Sequence, residues 1–319
     1  MFSLDINNEK TELAKTFVAT LIELMKTDDK IIALDADLGS ASGLEKIKKT
    51  NPDRFIDVGI AEANMTGIAA GLSAVGFIPF IHSFAPFVSR RNYDQLYMAG
   101  AYAHNTVNIF GSDPGFAVGP NGGTHTSFED VALMREIPEA IVCDASDAVL
   151  LEWIVKTFAK LKGIHYVRAN RKGVKNIYKK GSTFELGKAN VLNEGKDILI
   201  VCAGQLVSDA LDACKILADK NVSAQVIDMF CIKPLDAETL LKCAAGKKAV
   251  MSFENHSIVG GLGSAVAEVL AENAVGVKFK RIGVNDRFGE VGSQEYLQKT
   301  FGLTAQNLVE QALTLLGKN

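Results

Sequence analysis

The alternation of short apolar runs with helix-like segments is what most limits how this chain can fold. Strand-like runs occupy Ile31–Asp37, Arg54–Val58, Phe77–Ile81, Thr106–Phe110, Ala140–Cys143 and His165–Arg168. They are rich in β-branched and aromatic residues, as buried strands are. Helix-like segments lie between them. Asn8–Lys26 carries Leu13, Phe17, Leu21 and Leu24 at helical spacing; others run from Ser89 to His104, Phe128 to Arg135 and Ala148 to Leu161. Such alternation predicts a mostly parallel sheet with helices on both faces. The rhythm breaks over Asn170–Gly195, a stretch rich in Lys, Gly and Asn, and then resumes. Asp197–Cys202, Val222–Ile227, Lys248–Phe253 and Gly276–Ile282 read as strands, with helices at Val207–Lys220, Ala237–Ala244 and Thr304–Leu316. The expected fold class is α/β, in two consecutive domains, 1–180 and 181–319, each a mostly parallel sheet flanked by helices.

The chain has 319 residues, enough for two ordinary cores. A net charge of −3 argues against a nucleic-acid footprint, so no nucleic-acid partner is expected. Cys143, Cys202, Cys214, Cys231 and Cys243 form no Cys-x-x-Cys pair and are odd in number. Reduced structural thiols follow, and no zinc site. The N-terminus does not read as a signal peptide. No apolar run reaches the roughly 18 residues of a membrane span. A cytoplasmic protein without membrane association is expected.

One stretch concentrates the functional signals. Arg54–Val58 leads through Gly59 into a segment in which Ala61, Ala63, Gly67, Ala69, Ala70 and Gly71 leave almost no side-chain bulk. Gly67 and Gly71 each cost roughly 1 kcal/mol of helix propensity relative to alanine. That cost predicts a close approach to this helix. Glu62 stands in the first turn. A first-turn acid complements the helix dipole by roughly 0.3–1 kcal/mol. Set among Gly, Ala, Ile and Met, the same acid is also suited to sharing a proton with a bound partner. The Gly-rich loop Gly111–Thr126 is long for an α/β connection, which is more often functional than accidental. Gly260-Gly261-x-Gly263 lacks the full dinucleotide spacing and is read as a tight helix–sheet approach.

Gly59-Ile-Ala-Glu62-Ala-Asn-Met65 is followed in order by Ile78-Pro-Phe-Ile-His-Ser-Phe84-Ala-Pro-Phe87, Gly122-Gly-Thr-His125, Arg135-Glu-Ile-Pro138 and Tyr166-Val-Arg-Ala-Asn-Arg171. This series resembles the pyrimidine-binding domain of transketolases, and the likeness extends over nearly the whole chain as the second half of a full-length transketolase. The resemblance implies that Glu62 contacts a ring nitrogen of the aminopyrimidine of thiamine diphosphate and shares a proton with it. It implies that Phe84 and Phe87 line the pyrimidine pocket, Phe87 as the stacking partner, and that Asp37 and Leu38 border the thiazolium and substrate. Arg91 corresponds to an arginine of relatives, for which a contact with substrate and a surface role are both open. His125 is retained and suited to donating to a substrate oxygen or moving a proton. Two positions that contact sugar hydroxyls in relatives differ here: Asp113 stands where a His is usual and Asn121 where an Asp is usual. Exchanging His for Asp adds an anion, which puts the usual sugar-phosphate specificity in question. The resemblance implies that Arg168 and Arg171 lie where relatives bind a phosphate or another acidic end of the sugar, a task suited to a fork of donors; the residues alone also fit a solvated Lys/Arg-rich linker, with Arg168 as a structural arginine.

The Gly-Asp-Gly…Asn-Asn signature of the diphosphate and Mg²⁺ site is not found in this sequence. No metal ligands are therefore assigned to this chain; they are expected on an N-terminal partner subunit. The resemblance implies a split transketolase with two copies of each chain. It would move a two-carbon ketol unit from a ketose, phosphorylated in the family's manner, to an aldose. Readings that share the fold are a 1-deoxyxylulose-5-phosphate synthase-like subunit, a 2-oxoacid dehydrogenase β-like subunit, and a non-catalytic interaction protein.

Overall fold

The computed structural model describes residues 1–318. The chain forms two compact units. The first is Met1–Pro114 with Leu133–Phe184; the second is Gly115–Ala132 with the chain from Glu185 onward. A single boundary at residue 180 does not convey that the loop segment Gly115–Ala132 clusters with the second unit.

In the first unit the elements are α1 (Leu13–Met25), β1 (Ile31–Asp35), β2 (Phe55–Asp57), α2 (Glu62–Ala74), β3 (Ile78–Phe84), β4 (Val107–Ser112), β5 (Ile141–Asp144), α3 (Ala148–Phe158) and β6 (Ile164–Ala169). The strands lie in the order β5-β6-β4-β3-β1-β2, every pair parallel. Parallel strands buried on both faces read as near-continuous apolar runs, and every residue of β1, β4 and β6 is buried. Phe17 of α1 stacks on Phe110 of β4 with ring centroids 4.3 Å apart, fixing that helix to the sheet.

In the second unit β7 (Asn190–Asn193), β8 (Ile198–Cys202), β9 (Ala224–Asp228), β10 (Ala249–Ser257) and β11 (Lys278–Val284) lie in the order β11-β10-β8-β9-β7. All pairs are parallel except β9 with β7. Helices α4 (Val207–Asp219), α5 (Ala237–Ala244), α6 (Leu262–Glu272), α7 (Gln294–Thr300) and α8 (Ala305–Leu316) complete it. The α/β class with mostly parallel sheets holds in both units.

Three departures from the sequence reading have local causes. The first helix starts at Leu13, because Lys10–Glu12 pair antiparallel with Gly173–Lys175 instead of joining it. The helix expected over 89–104 is broken into Phe87–Arg90, Tyr93–Gln95 and a π-helical stretch Leu96–Tyr102. Buried Asn92 sits at the break, its Nδ2 donating to Thr66 Oγ1 at 2.8 Å. Finally, β7 and α7 lie where the sequence showed no clear period. All five cysteines are buried and unpaired by disulfides, and burial pushes the Cys214 thiol up to about 12. Among the described residues no helix is long and apolar enough to cross a membrane.

Candidate active site

Parallel strands send all their C-terminal ends to one edge, where open α/β sheets bind ligands. Four neighbouring strands of the first unit deliver the residues in question to that edge. Asp37 and Leu38 follow β1, Phe84 ends β3 with Phe87 just beyond, Asp113 follows β4, and Arg171 follows β6. Glu62 opens α2 after β2, across the sharp turn at Gly59, whose φ is 71°.

Glu62 is only 3% exposed. Its Oε1 accepts from Arg91 Nη1 at 2.8 Å and, at the limit of a hydrogen bond, from Ser83 Oγ at 3.5 Å. The Arg91 guanidinium carbon lies 3.9 Å above the centroid of Phe87. Phe87 and Phe84 have centroids 6.0 Å apart at an interplanar angle of 44°. Phe87 and Arg91 are four apart, the helical spacing that brings two side chains together. A buried carboxylate and an aromatic face thus hold one flat, delocalised group that carries N–H donors. An aminopyrimidine has those same properties, so the residues present fit it.

A second cluster sits at the ends of β4 and β6. The Asp113 carboxylate, 1% exposed, accepts from the backbone N of Arg171 at 2.7 Å and from its Nε at 2.6 Å. The Arg171 guanidinium lies 4.6 Å over the Phe84 ring and donates to the Ala41 carbonyl at 3.2 Å. Arg171 borders a cavity of about 490 Å³ together with Lys15, Ser40, Ser42 and Lys172. The anion that the exchange of His for Asp adds is thus a paired one. Its charge is matched by Arg171, and it aims that guanidinium. Asp113 and Asp37 both take positive φ, 52° and 61°, in the left-handed region that Asp tolerates better than most residues.

Arg168 makes a different ion pair from that of Arg171. It is 1% exposed, and its Nε donates to Asp144 Oδ2 at 2.9 Å. Asp144 is its directly opposite partner in the β5–β6 ladder, the last residue of β5 facing the next-to-last of β6. The glycines of α2 supply a correction. A Cβ placed on Gly67 or Gly71 meets nothing within 4 Å, so no group among the described residues makes the close approach that these glycines predicted.

Sequence reasoning missed the polar chain beneath the strand ends. Asp35, His82 and Ser112 are wholly buried on β1, β3 and β4. His82 Nδ1 donates to Asp35 Oδ2 at 2.7 Å, and its Nε2 lies 2.9 Å from Ser112 Oγ. The other oxygen of Asp35 accepts from the Leu38 backbone N. Asp57, also missed, accepts from the backbone N of Asp37 at 3.1 Å and of Gly59 at 3.0 Å. The signal was present as polar residues in otherwise apolar strands, which stay buried only when satisfied.

Asn121 and His125 belong to the second unit. Asn121 is exposed at the end of a 3₁₀ stretch, Gly115–Asn121. His125 is half-buried, its Nδ1 2.8 Å from Thr124 Oγ1. In the same unit the Gly260–Gly263 segment is accounted for internally. Glu254 accepts from the backbone N of Leu262 at 2.7 Å and of Gly263 at 2.9 Å. A Cβ on Gly263 would stand 2.7 Å from the same carboxylate, so the glycine is there for close approach. Among the described residues, no cluster of three or more His, Cys, Asp or Glu is placed to hold a metal ion.

Both halves of the chain resemble known proteins. Residues 9–176 match the family model described as transketolase, pyrimidine binding domain, and residues 187–308 match transketolase, C-terminal domain. A 6-deoxy-6-sulfo-D-fructose transketolase subunit of Clostridium sp. (strain MSTE9) is 44% identical over 308 residues, spanning 97% of this chain and 95% of the relative. An apulose-4-phosphate transketolase subunit of Phocaeicola vulgatus is 35% identical over 312 residues, spanning 98% of this chain and 99% of the relative. A solved structure described as a split gene transketolase, inactive beta4 tetramer, matches with a TM-score of 0.88 at 38% identity, over 97% of this chain and 99% of that one. With both domain models matched in order along nearly its whole length, this chain belongs to the transketolase family and carries its pyrimidine-binding and C-terminal domains.

Proposed function

We propose that this chain is the pyrimidine-binding subunit of a two-chain, thiamine-diphosphate-dependent transketolase that moves a two-carbon ketol unit from a ketose to an aldose. The observation that carries the reading is Glu62, a buried carboxylate beside the Phe87 face and gripping a flat N–H donor. Glu62 would hold a proton at a ring nitrogen of the aminopyrimidine, and burial would keep water from competing for it. Phe87 would fix the ring plane, with Phe84 beside it. When bound, the cofactor supplies the carbanion chemistry. Asp37 and Leu38 would border the thiazolium side, held by Asp57 and Asp35. The diphosphate and Mg²⁺ would be held by an N-terminal partner subunit, in an assembly with two copies of each chain.

For the substrate, Arg171 carries the argument. Aimed by Asp113 and bordering a cavity with Lys15 and Lys172, it suits a ketose with an anionic end. The names of the two relatives specify a sulfonated and a phosphorylated sugar, which is consistent with such an end. His125 and Asn121 would serve the sugar hydroxyls.

The test is calorimetry of thiamine diphosphate with Mg²⁺, on this chain alone and mixed with a partner bearing the diphosphate signature. Tight binding only in the mixture supports the reading, and a screen of phosphorylated and sulfonated ketoses then identifies the donor. Equally tight binding by this chain alone would sink the two-chain site.

A further inference from the structure

Arg91 is the group that Glu62 and Phe87 hold. A carboxylate 3% exposed needs a partner, because an uncompensated buried charge is strongly destabilising. Arg91 supplies the charge at 2.8 Å and a planar surface at 3.9 Å from Phe87. Its attachment favours release. The side chain is 47% exposed, and the residue directly follows the short helix Phe87–Arg90, at the break before Asn92. The ion pair Arg168–Asp144 is the opposite case, with its arginine side chain 1% exposed and its partner fixed by strand register.

An aminopyrimidine bound by Glu62 and Phe87 would make the same two demands, an N–H edge against Glu62 and a flat face against Phe87. Both would fall on the groups that the guanidinium covers, Glu62 Oε1 and the Phe87 ring. We infer that Arg91 is a displaceable stand-in for the aminopyrimidine: it is the resident counter-ion of Glu62, and the cofactor ring enters by pushing it out towards solvent. This inference rests on the proposed cofactor. It gives Arg91 a different task from gripping the sugar, and it has a sign that a gripping role lacks. A residue that must be displaced lowers the fraction of binding-competent sites, so removing it tightens binding.

The experiment measures thiamine diphosphate affinity by calorimetry in the assembled two-chain complex, with Mg²⁺, for wild type and Arg91→Ala. It is paired with the melting temperature of each chain alone. Arg91→Ala is expected to lower the melting temperature, because Glu62 loses its counter-ion, and to lower the cofactor Kd roughly five- to twenty-fold. Arg91→Lys keeps the cation beside Glu62 but not the flat stack. It serves if the alanine variant fails to assemble, and is expected to tighten binding in the same direction by a smaller factor. Unchanged or weaker cofactor binding in both variants, with wild type binding normally, overturns the inference and leaves the proposed function standing. No binding by the wild-type complex overturns the proposed function, and the inference with it.

Discussion

Two buried glutamates, one in each unit, make an instructive pair. Glu254 is 4% exposed and Glu62 is 3% exposed, and the carboxylate of each lies near the start of a helix. Glu254 is satisfied by the backbone, through the N–H groups of Leu262 and Gly263 at the first turn of α6. Those donors cannot leave without unwinding the helix. Glu62 is itself the first residue of α2, and its carboxylate turns to side chains, Arg91 and Ser83. Those donors can move. A carboxylate locked by backbone donors serves the fold, whereas one held by mobile side chains is available for exchange with a ligand. The two carboxylates differ in their donors and not in their degree of burial.

The comparison breaks most sharply by mutating each acid and reading both activity and stability. Glu62→Gln in the assembled enzyme should lose on the order of 10²–10⁴-fold in turnover, the usual worth of a positioned proton carrier. Its melting temperature should stay close to wild type, since the amide oxygen still accepts from Arg91. Unchanged turnover would remove Glu62 from the chemistry. Glu254→Ala should do the reverse. It strands two buried N–H groups at roughly 1–3 kcal/mol each, so denaturant unfolding should show about 2–6 kcal/mol lost. A Glu254→Ala variant as stable as wild type would erase the contrast.

Acid titration of stability sharpens the same comparison only once a background is removed. Burial brings the His165 imidazole down to about 4 from 6.5, although a hydrogen bond with the Lys162 backbone acts in the other direction. The unfolded chain then binds the extra proton first. The contribution of His165 is fully present above pH 6.5 and is lost as pH falls towards 4. Its size is on the order of 3 kcal/mol. His165→Asn should flatten the stability slope across that window, measured by chemical denaturation at several pH values; an unaltered slope would exclude His165 as its source. The smallest effect concerns the helix that carries Glu62. Gly67→Ala and Gly71→Ala have open space for the new methyl group and should each stabilise this chain alone by about 1 kcal/mol. Stabilisation of the isolated chain combined with weaker assembly would show that the glycines serve another chain and not this one.

Much of the architecture was legible because it is written in local periodicity. The strand Ile198–Cys202 and the helix Ala237–Ala244 could be read from apolar runs and helical spacing alone. The residues around Glu62 were legible from their order along the chain. What escaped depends on register. Asp35 faces His82 because β1 and β3 pair at that rung, and Asp144 faces Arg168 for the same reason in β5 and β6. No spacing within the sequence encodes which strands are neighbours. The Asp144 partner of Arg168 therefore went unread, and His82 drew no attention. The break at Asn92 was hidden too, since its cause is a side-chain bond to Thr66 on another helix.

The Asp35–His82–Ser112 chain has a mechanical consequence. Backbone ladders tie each strand to its neighbours along its length, but this chain of side chains runs across three strands close to their ends. Beyond it, Leu38 hangs from the second oxygen of Asp35, and the Ser112 carbonyl holds the backbone N of Ala85 at 2.8 Å. The turn at Leu38, the segment after Phe84 and the residue before Asp113 are therefore joined by one continuous run of hydrogen bonds. The ends of β1, β3 and β4 are thus tied to one another by side chains as well as by the backbone ladder.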